Sequence, residues 1–322
     1  MIIFSPSPHI HTRRTAAGAM MHVIIALLPA AFAAAWFFGL PAIGVMLVSV
    51  TACVAFEYLI ARFVLGRRRA ERPSLIAAAL TGLLLALNVP AGLPWWTVLV
   101  GALFAIGVAK MAFGGLGCNI FNPAIAARVF LLISFPALMT VWPVPGSGFQ
   151  AVADGLTGAT PLEALKKFGA ADDFSMFCTP GEMFMGSIGG SLGEVSALAL
   201  LIGFVYLLAV RVISWHIPVA IIATVAALDL LVGARVVPNL LGGGLLLGAI
   251  FMATDYVTSP MTRRGMLIYG VLIGVVTVVI RQWGAYPEGM SFAILLGNGL
   301  TPLINRWCRP VRFGKLQKED AV

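Results

Sequence analysis

Apolar runs broken by short polar punctuation fill most of the chain. Runs over 20–39, 41–64, 74–91, 94–112, 123–143, 192–213, 217–233, 239–257, 265–281 and 290–307 predict about ten helices. About 20 predominantly apolar residues suffice for a helix to cross the hydrocarbon core. The third, seventh and last runs are short or interrupted. The pattern therefore predicts an all-α polytopic membrane protein with several broken helices. The breaks fall where glycine and proline gather, in "LNVPAGLPWW", "FGGLGCNIFNPA", "VVPNLLGGG" and "TDYVTSPMT". In lipid, an interrupted helix must bury its freed backbone in protein or line a polar cavity with it. Such breaks either build a substrate or cofactor site or let small residues pack closely.

Composition supports the bilayer as solvent. Of 322 residues, 60% are hydrophobic and 11% charged, with a mean hydropathy of +0.98. A soluble domain carries about 25% charged residues, so these polar groups could not cover a water-facing globule. The net charge of +8 reads as cytoplasmic Lys and Arg rather than as a nucleic-acid surface. With the N-terminus inside, 17 of the 21 basic residues lie on the cytoplasmic side and only Lys166, Lys167, Arg235 and Arg281 outside. Both termini are thus expected inside. The same count divides the chain into a first membrane half (1–143), an outer loop (144–191), a second membrane half (192–308) and a cytoplasmic tail (309–322). Arg13 and Arg14 precede the first run without a small-residue cleavage site, so that run is expected to be a retained span. Cys53, Cys118, Cys178 and Cys308 form no C-x-x-C pair and suggest no metal or disulfide motif; packing roles are expected for them, the alternative for Cys118, in its glycine-rich turn, being a cluster ligand shared with another subunit. A short echo links Val89–Lys110 with Val237–Tyr256, "VGALF" matching "LGAIF".

Polar groups in such a chain need a reason. Lys110, Arg211 and Arg306 fall near predicted helix ends and read as snorkelling anchors. Glu57 and Asp229 lie deeper and belong either to an ion path or to buried pairs. Arg128 and Glu194 also fall in or beside apolar runs, with no partner or role that their spacing defines. In "NIFNPAIAAR", Asn119 and Asn122 share a face if helical. Their carboxamides offer donors and acceptors suited to the edge of a heteroaromatic ring. Asn122 before Pro123 also has the form of a helix cap.

The stretch "DGLTGATPL" (154–162) sits in the long outer loop. Thr157 and Thr160 are hydroxyls flanked by Gly155, Gly158 and Ala159, a thin backbone able to enter another enzyme's active site. Either a turn or a modification acceptor fits that composition. The string resembles the D-x-[S/T]-G-A-T flavinylation motif. Six further blocks go with it: "SPSPHI", "SLIAAALTGLLLALNVP", "FGGLGCNIFNPAIAARVF", "GSIGGSLGEVSALALLIG", "FMATDYVTSPMTRRG" and "GAYPEGMSFAILLGN". Together they resemble the D-subunit family of the Rnf electron-transport complex. The resemblance extends to the related B-type membrane component of the sodium-pumping NADH:quinone reductase.

That resemblance implies a multi-pass subunit of the bacterial inner membrane, in a complex coupling ferredoxin and NAD to Na⁺ or H⁺ translocation. It implies FMN on Thr160 through a phosphoester, attached by a flavin transferase that recognises Asp154, Gly158 and Ala159, with Thr157 in the surroundings of the flavin. Glu288, Ser291 and Phe292 are then expected around the covalent flavin, with Lys166 or Lys167 either near its phosphate or solvated. A second, non-covalent flavin (riboflavin or FMN) is expected near Asn119, Asn122, Pro123, Thr254, Asp255 and Thr258. No residue is expected to be catalytic by itself, and the other subunits are required partners. The rival reading, a secondary transporter or channel without a redox group, accounts for the broken helices but not for the acceptor string.

Overall fold

The computed structural model describes residues 15–66, 71–146, 158, 160–168, 179–286 and 288–309. Among these the chain is helical, with no β-strand. Helix α1 (Ala16–Phe38) is capped by the Thr15 hydroxyl, which accepts from the Gly18 N–H at 3.1 Å. It stops at Gly39, whose φ of 67° suits a residue without a side chain. The same glycine opens α2 (Leu40–Leu59), which runs on as a π-turn through Ile60–Val64. Then come α3 (Arg72–Leu87), α4 (Trp95–Leu103) with a π-turn over Phe104–Val108, α5 (Pro123–Ser134) and the short α6 (Pro136–Met139). Two short helices, α7 (Pro161–Phe168) and α8 (Pro180–Met185), lie in the long loop. The second half opens with α9 (Ala197–Ala209), α10 (His216–Val232) and α11 (Val236–Leu241). It continues with α12 (Leu245–Leu247) and its π-turn over Gly248–Met252, then α13 (Arg263–Trp283) and α14 (Met290–Trp307).

Each of the ten predicted apolar runs contains helix. Four stretches are long and apolar enough to cross a membrane: Ala16–Phe38, Leu40–Val64, Trp95–Phe113 and Arg263–Trp283. Among the shorter ones, Arg72–Leu87 ends and Pro123–Ser134 begins at a predicted break, whereas Ala197–Ala209 ends where none is predicted. The two echoing segments share a form, each a helix running into a π-turn. The outer surface of the bundle is greasy, with Phe32, Phe63 and Leu231 exposed. Exposed Trp95, Trp283 and Trp307 stand at helix ends, where indole rings anchor at a membrane interface.

Lipid tails are as apolar as the helices, so packing depends on close approach of small residues rather than on expulsion of water. Gly270 and Gly274, one turn apart on α13, illustrate it. A Cβ there would lie 2.6 Å from Ala220 Cβ and 2.7 Å from Thr224 Cβ of α10. Helix α2 similarly packs on α3, and Ser49 Oγ donates to the Gly82 carbonyl at 2.7 Å. At the centre the breaks meet one another. The Leu87 carbonyl, left open by the end of α3, accepts from the Gly193 N–H at 2.6 Å, and Val89 accepts from Leu192 at 3.2 Å. The exposed ends of one broken segment are thereby satisfied by the next.

Candidate functional site

Two cavities lie at opposite ends of α5. Leu132 and Arg128 line one, Asn122 and Pro123 the other. Along the helix, the rise from Pro123 to Leu132 is about 13 Å.

The first cavity has about 1090 Å³ of empty space and is walled by α5, Trp142, α7, Ala285, Tyr286 and Glu288. Thr160 is the cap of α7: its hydroxyl accepts from the Glu163 N–H at 3.2 Å and its carbonyl from Ala164 at 2.9 Å. The residue is buried, because α7 docks through Leu162 against the Gly242–Gly243 break. A spacing of three places Thr160, Glu163 and Lys166 on one face, and the last two line the cavity. Lys166 donates to the Gly284 carbonyl, so it is not merely solvated. Glu288 lines the same cavity and pairs with Arg128. Ser291 accepts from Arg128 Nη1 at 2.7 Å, and Phe292 stacks on Tyr286 with centroids 5.5 Å apart. Of the expected trio, Glu288 lines the cavity, whereas Ser291 and Phe292 touch it only through Arg128 and Tyr286. Gly158 donates its N–H to the Trp142 carbonyl at 3.0 Å. Asp154, Thr157 and Ala159 lie outside the described residues, as does the Lys167 side chain.

The second cavity is partly open, has about 830 Å³ of empty space and is lined by Asn119, Asn122, Pro123, Thr254 and Asp255, with Lys110 and Thr81 among apolar walls. Two stretches remote from each other in sequence therefore share one site. Asn122 is the cap of α5: its Oδ1 accepts from Ala124 at 3.1 Å and Ile125 at 3.4 Å, while Nδ2 donates to Met252 O at 3.3 Å. Asn119 donates to Phe121 O at 3.0 Å. A carboxamide has more hydrogen-bonding capacity than these contacts use. Thr258 does not line the cavity; it donates to the Asp255 carboxylate at 3.3 Å from behind.

Several polar groups fall differently from expectation. Lys110 is no snorkelling anchor. It is buried, with Nζ 3.1 Å from Glu57 Oε1, because the π-turn after α4 rotates it inward. The Ser74 hydroxyl donates to the same carboxylate, so Glu57 is one member of a buried pair. Arg211 and Arg306 are accessible at helix ends, as anchors are. Arg281, counted among outer-face charges, is buried and donates to the carbonyls of Asn239, Gly242 and Gly243, while Asp229 lies within its field. Cys53 is packed in the core, whereas Cys118 is exposed in the glycine-rich turn and Cys308 half-buried. Cys178 lies outside the described residues.

Arg128 and Glu194, to which the sequence assigns no role, meet at the centre. Arg128 is buried and reaches Glu288, Ser291, Asn88 Oδ1 at 3.4 Å and Glu194 at 3.8 Å. Asn88 Nδ2 in turn meets the Met252 sulfur at 3.5 Å, and Met252 O holds Asn122. A series of contacts, interrupted by the apolar side chain of Met252, thus runs through the bundle from one cavity to the other. Two ionisable residues inside apolar sequence are the available signal, but their meeting depends on packing between segments far apart in the chain.

The pattern describing the NQR2, RnfD, RnfE family matches residues 3–314, and the chain belongs to that family. It is 44% identical to the D subunit of the Na⁺-translocating ferredoxin:NAD⁺ oxidoreductase complex of Acetobacterium woodii, covering 98% of this chain and 96% of that one. It is 43% identical to the D subunit of the ion-translocating oxidoreductase complex of Stutzerimonas stutzeri, over 92% of this chain and 91% of that one. It is 39% identical to the D subunit of the proton-translocating ferredoxin:NAD⁺ oxidoreductase complex of Clostridium ljungdahlii, over 96% and 95% respectively.

Proposed function

From membership of this family, we propose that the chain is the flavin-carrying membrane subunit of a complex coupling ferredoxin–NAD⁺ electron transfer to cation translocation. In this reading the ten helical runs span the bacterial inner membrane, both termini lie in the cytoplasm, and α7 lies outside. FMN is joined by a phosphoester to Thr160 through the action of a flavin transferase. The observation that carries the reading is the acceptor string itself, "DGLTGAT", ending on the residue that opens α7 beside a large cavity.

The residues present fit such a group. A phosphate on Thr160 sits at a helix N-terminus, where unpaired N–H groups and the helix dipole favour an anion. The Tyr286–Phe292 stack and Trp142 offer aromatic surface at the first cavity. In the second cavity the carboxamides of Asn119 and Asn122 would meet a ring edge, with Lys110, already paired with Glu57, at the wall. Bound flavins would supply the redox chemistry, while the chain fixes their position, water access and potential. Burial of Thr160 sets an order of events. The transferase must reach it before α7 docks on Gly242–Gly243, or must lift α7 away.

The test is a denaturing gel viewed under ultraviolet light, using protein from a host with active flavin transferase. A fluorescent band is expected, and it is expected to vanish in Thr160→Val. Fluorescence that survives in Thr160→Val removes Thr160 as the linkage. A dark band from the unmodified chain favours a transporter without a redox group.

A further inference from the structure

At the centre of the bundle one guanidinium serves two carboxylates. Arg128 is paired with Glu288 and lies 3.8 Å from Glu194. Glu194 is 5% exposed, and its Oε1 has no hydrogen-bond partner. The Ser191 hydroxyl beside it is fully buried and engages no other group. The next cation, Arg281, is occupied with three carbonyls and shares its field among Asp229, Glu288 and Glu194. Counted together, Arg128 and Arg281 face Glu194, Glu288 and Asp229, so full ionisation leaves one uncompensated negative charge, which a low-dielectric interior strongly disfavours. Backbone crowds the site, so the unpaired oxygen is not a product of slack packing. A Cβ on Gly244 would lie 2.8 Å from Glu194 Oε1, and one on Gly190 3.2 Å from Oε2.

We propose that Glu194 is an exchangeable cation site, a buried carboxylate that binds a proton or, in its place, a sodium ion, with Arg128 as its gate. Arg128 and Glu288 line the first cavity, whereas Glu194 lies behind them. While the guanidinium holds Glu288, Glu194 must take its counter-charge from a small cation. When the guanidinium shifts toward Glu194, it replaces that cation and releases it. No bond other than O–H, or a Na⁺–carboxylate contact, forms or breaks, and no electron moves. The series of contacts through Asn88 and Met252 to Asn122 continues from this point toward the second cavity. The site does not require flavin on Thr160, so the two readings fail separately: the fluorescent band is expected to persist in Glu194→Gln.

The test is infrared difference spectroscopy of the whole reconstituted complex, following the protonated carboxyl C=O stretch, identified by its shift in D₂O. A titrating signal is expected in the unmodified complex and its loss in Glu194→Gln. In Glu288→Gln, Arg128 is released to Glu194 and the titration is expected to move to lower pH. Adding Na⁺ at fixed pH separates the two ions: a signal depleted by Na⁺ means sodium exchange, and one indifferent to Na⁺ means proton binding alone. A carboxyl signal that persists unchanged in Glu194→Gln overturns the proposal, as does the absence of both a titrating signal and a Na⁺ effect. Should Glu194→Gln fail to assemble, Ser191→Ala keeps the carboxylate and is expected to displace its titration; an undisplaced curve refutes the site.

Discussion

Two buried ion clusters of the bundle are built on different ratios. Near the second cavity Lys110 meets Glu57, one cation to one anion, with Ser74 supporting both through its hydroxyl and its carbonyl at 3.4 Å from Nζ. Near the first cavity Arg128 meets Glu288 and Glu194, one cation to two anions. A balanced pair already has its counter-charge and has no reason to bind or release anything. An unbalanced one is completed by a mobile charge. The first arrangement locks a π-turn in place, while the second is suited to exchange.

The strongest way to break this comparison is Arg128→Met. Removing one partner of a buried ion pair costs about 3–5 kcal/mol, and here it strands Glu288 and leaves Glu194 without its nearest cation. Thermal unfolding of the detergent-solubilised complex should show the greatest loss for this variant. Restoring stability by adding Glu194→Gln alone is expected to be incomplete, because Glu288 remains.

At the balanced cluster the double variant should behave differently. Glu57→Leu alone leaves Lys110 charged and buried, at a cost of about 3–5 kcal/mol. Adding Lys110→Met should recover most of it, since an apolar pair of similar volume often replaces a buried ion pair without penalty. If the double variant is no better than the single, this pair has a role beyond structure.

Ser291→Ala sharpens the contrast at smaller scale. The hydroxyl accepts from Arg128 at 2.7 Å, and a hydrogen bond to a charged group contributes about 1.5–3 kcal/mol. Unfolding by heat should report that decrement without loss of assembly. The smallest effect concerns Glu182, an exposed acid with neither cluster's constraints. It accepts from the Thr179 N–H at 2.8 Å in a capping box, and that bond holds its carboxyl below the usual glutamate range. Its stabilisation of α8 is therefore present above the ordinary glutamate pKa and is lost as pH falls through the depressed value. Amide exchange in α8 should quicken only at acid pH, and Glu182→Gln should remove that dependence.

Much of this is legible in the chain itself. The apolar runs locate the helices, and the glycine–proline strings locate the breaks. Asn119, Asn122, Thr254 and Asp255 are expected as one group although they come from two remote segments, and they do line one cavity. Thr258 lies just past the lining residue Val257 and supports Asp255 instead. Lys110 misleads for a physical reason. A lysine at a helix end reads as an anchor, but a five-residue π-turn changes the facing of everything after it, and no hydropathy window registers that rotation. Arg128 and Glu194 are visible as polar residues but mute as to partners.

Hydropathy, the acceptor string and the family blocks are local properties, each carried by neighbouring residues. The sequence by itself therefore determined that the chain is a helical membrane protein, where its helices break and which threonine stands as the expected acceptor. Only the tertiary structure decided which buried charges share a partner, because the pairing energy depends on distances between helices distant in sequence. Through that, it decided that one cluster is balanced and the other is one positive charge short of neutrality.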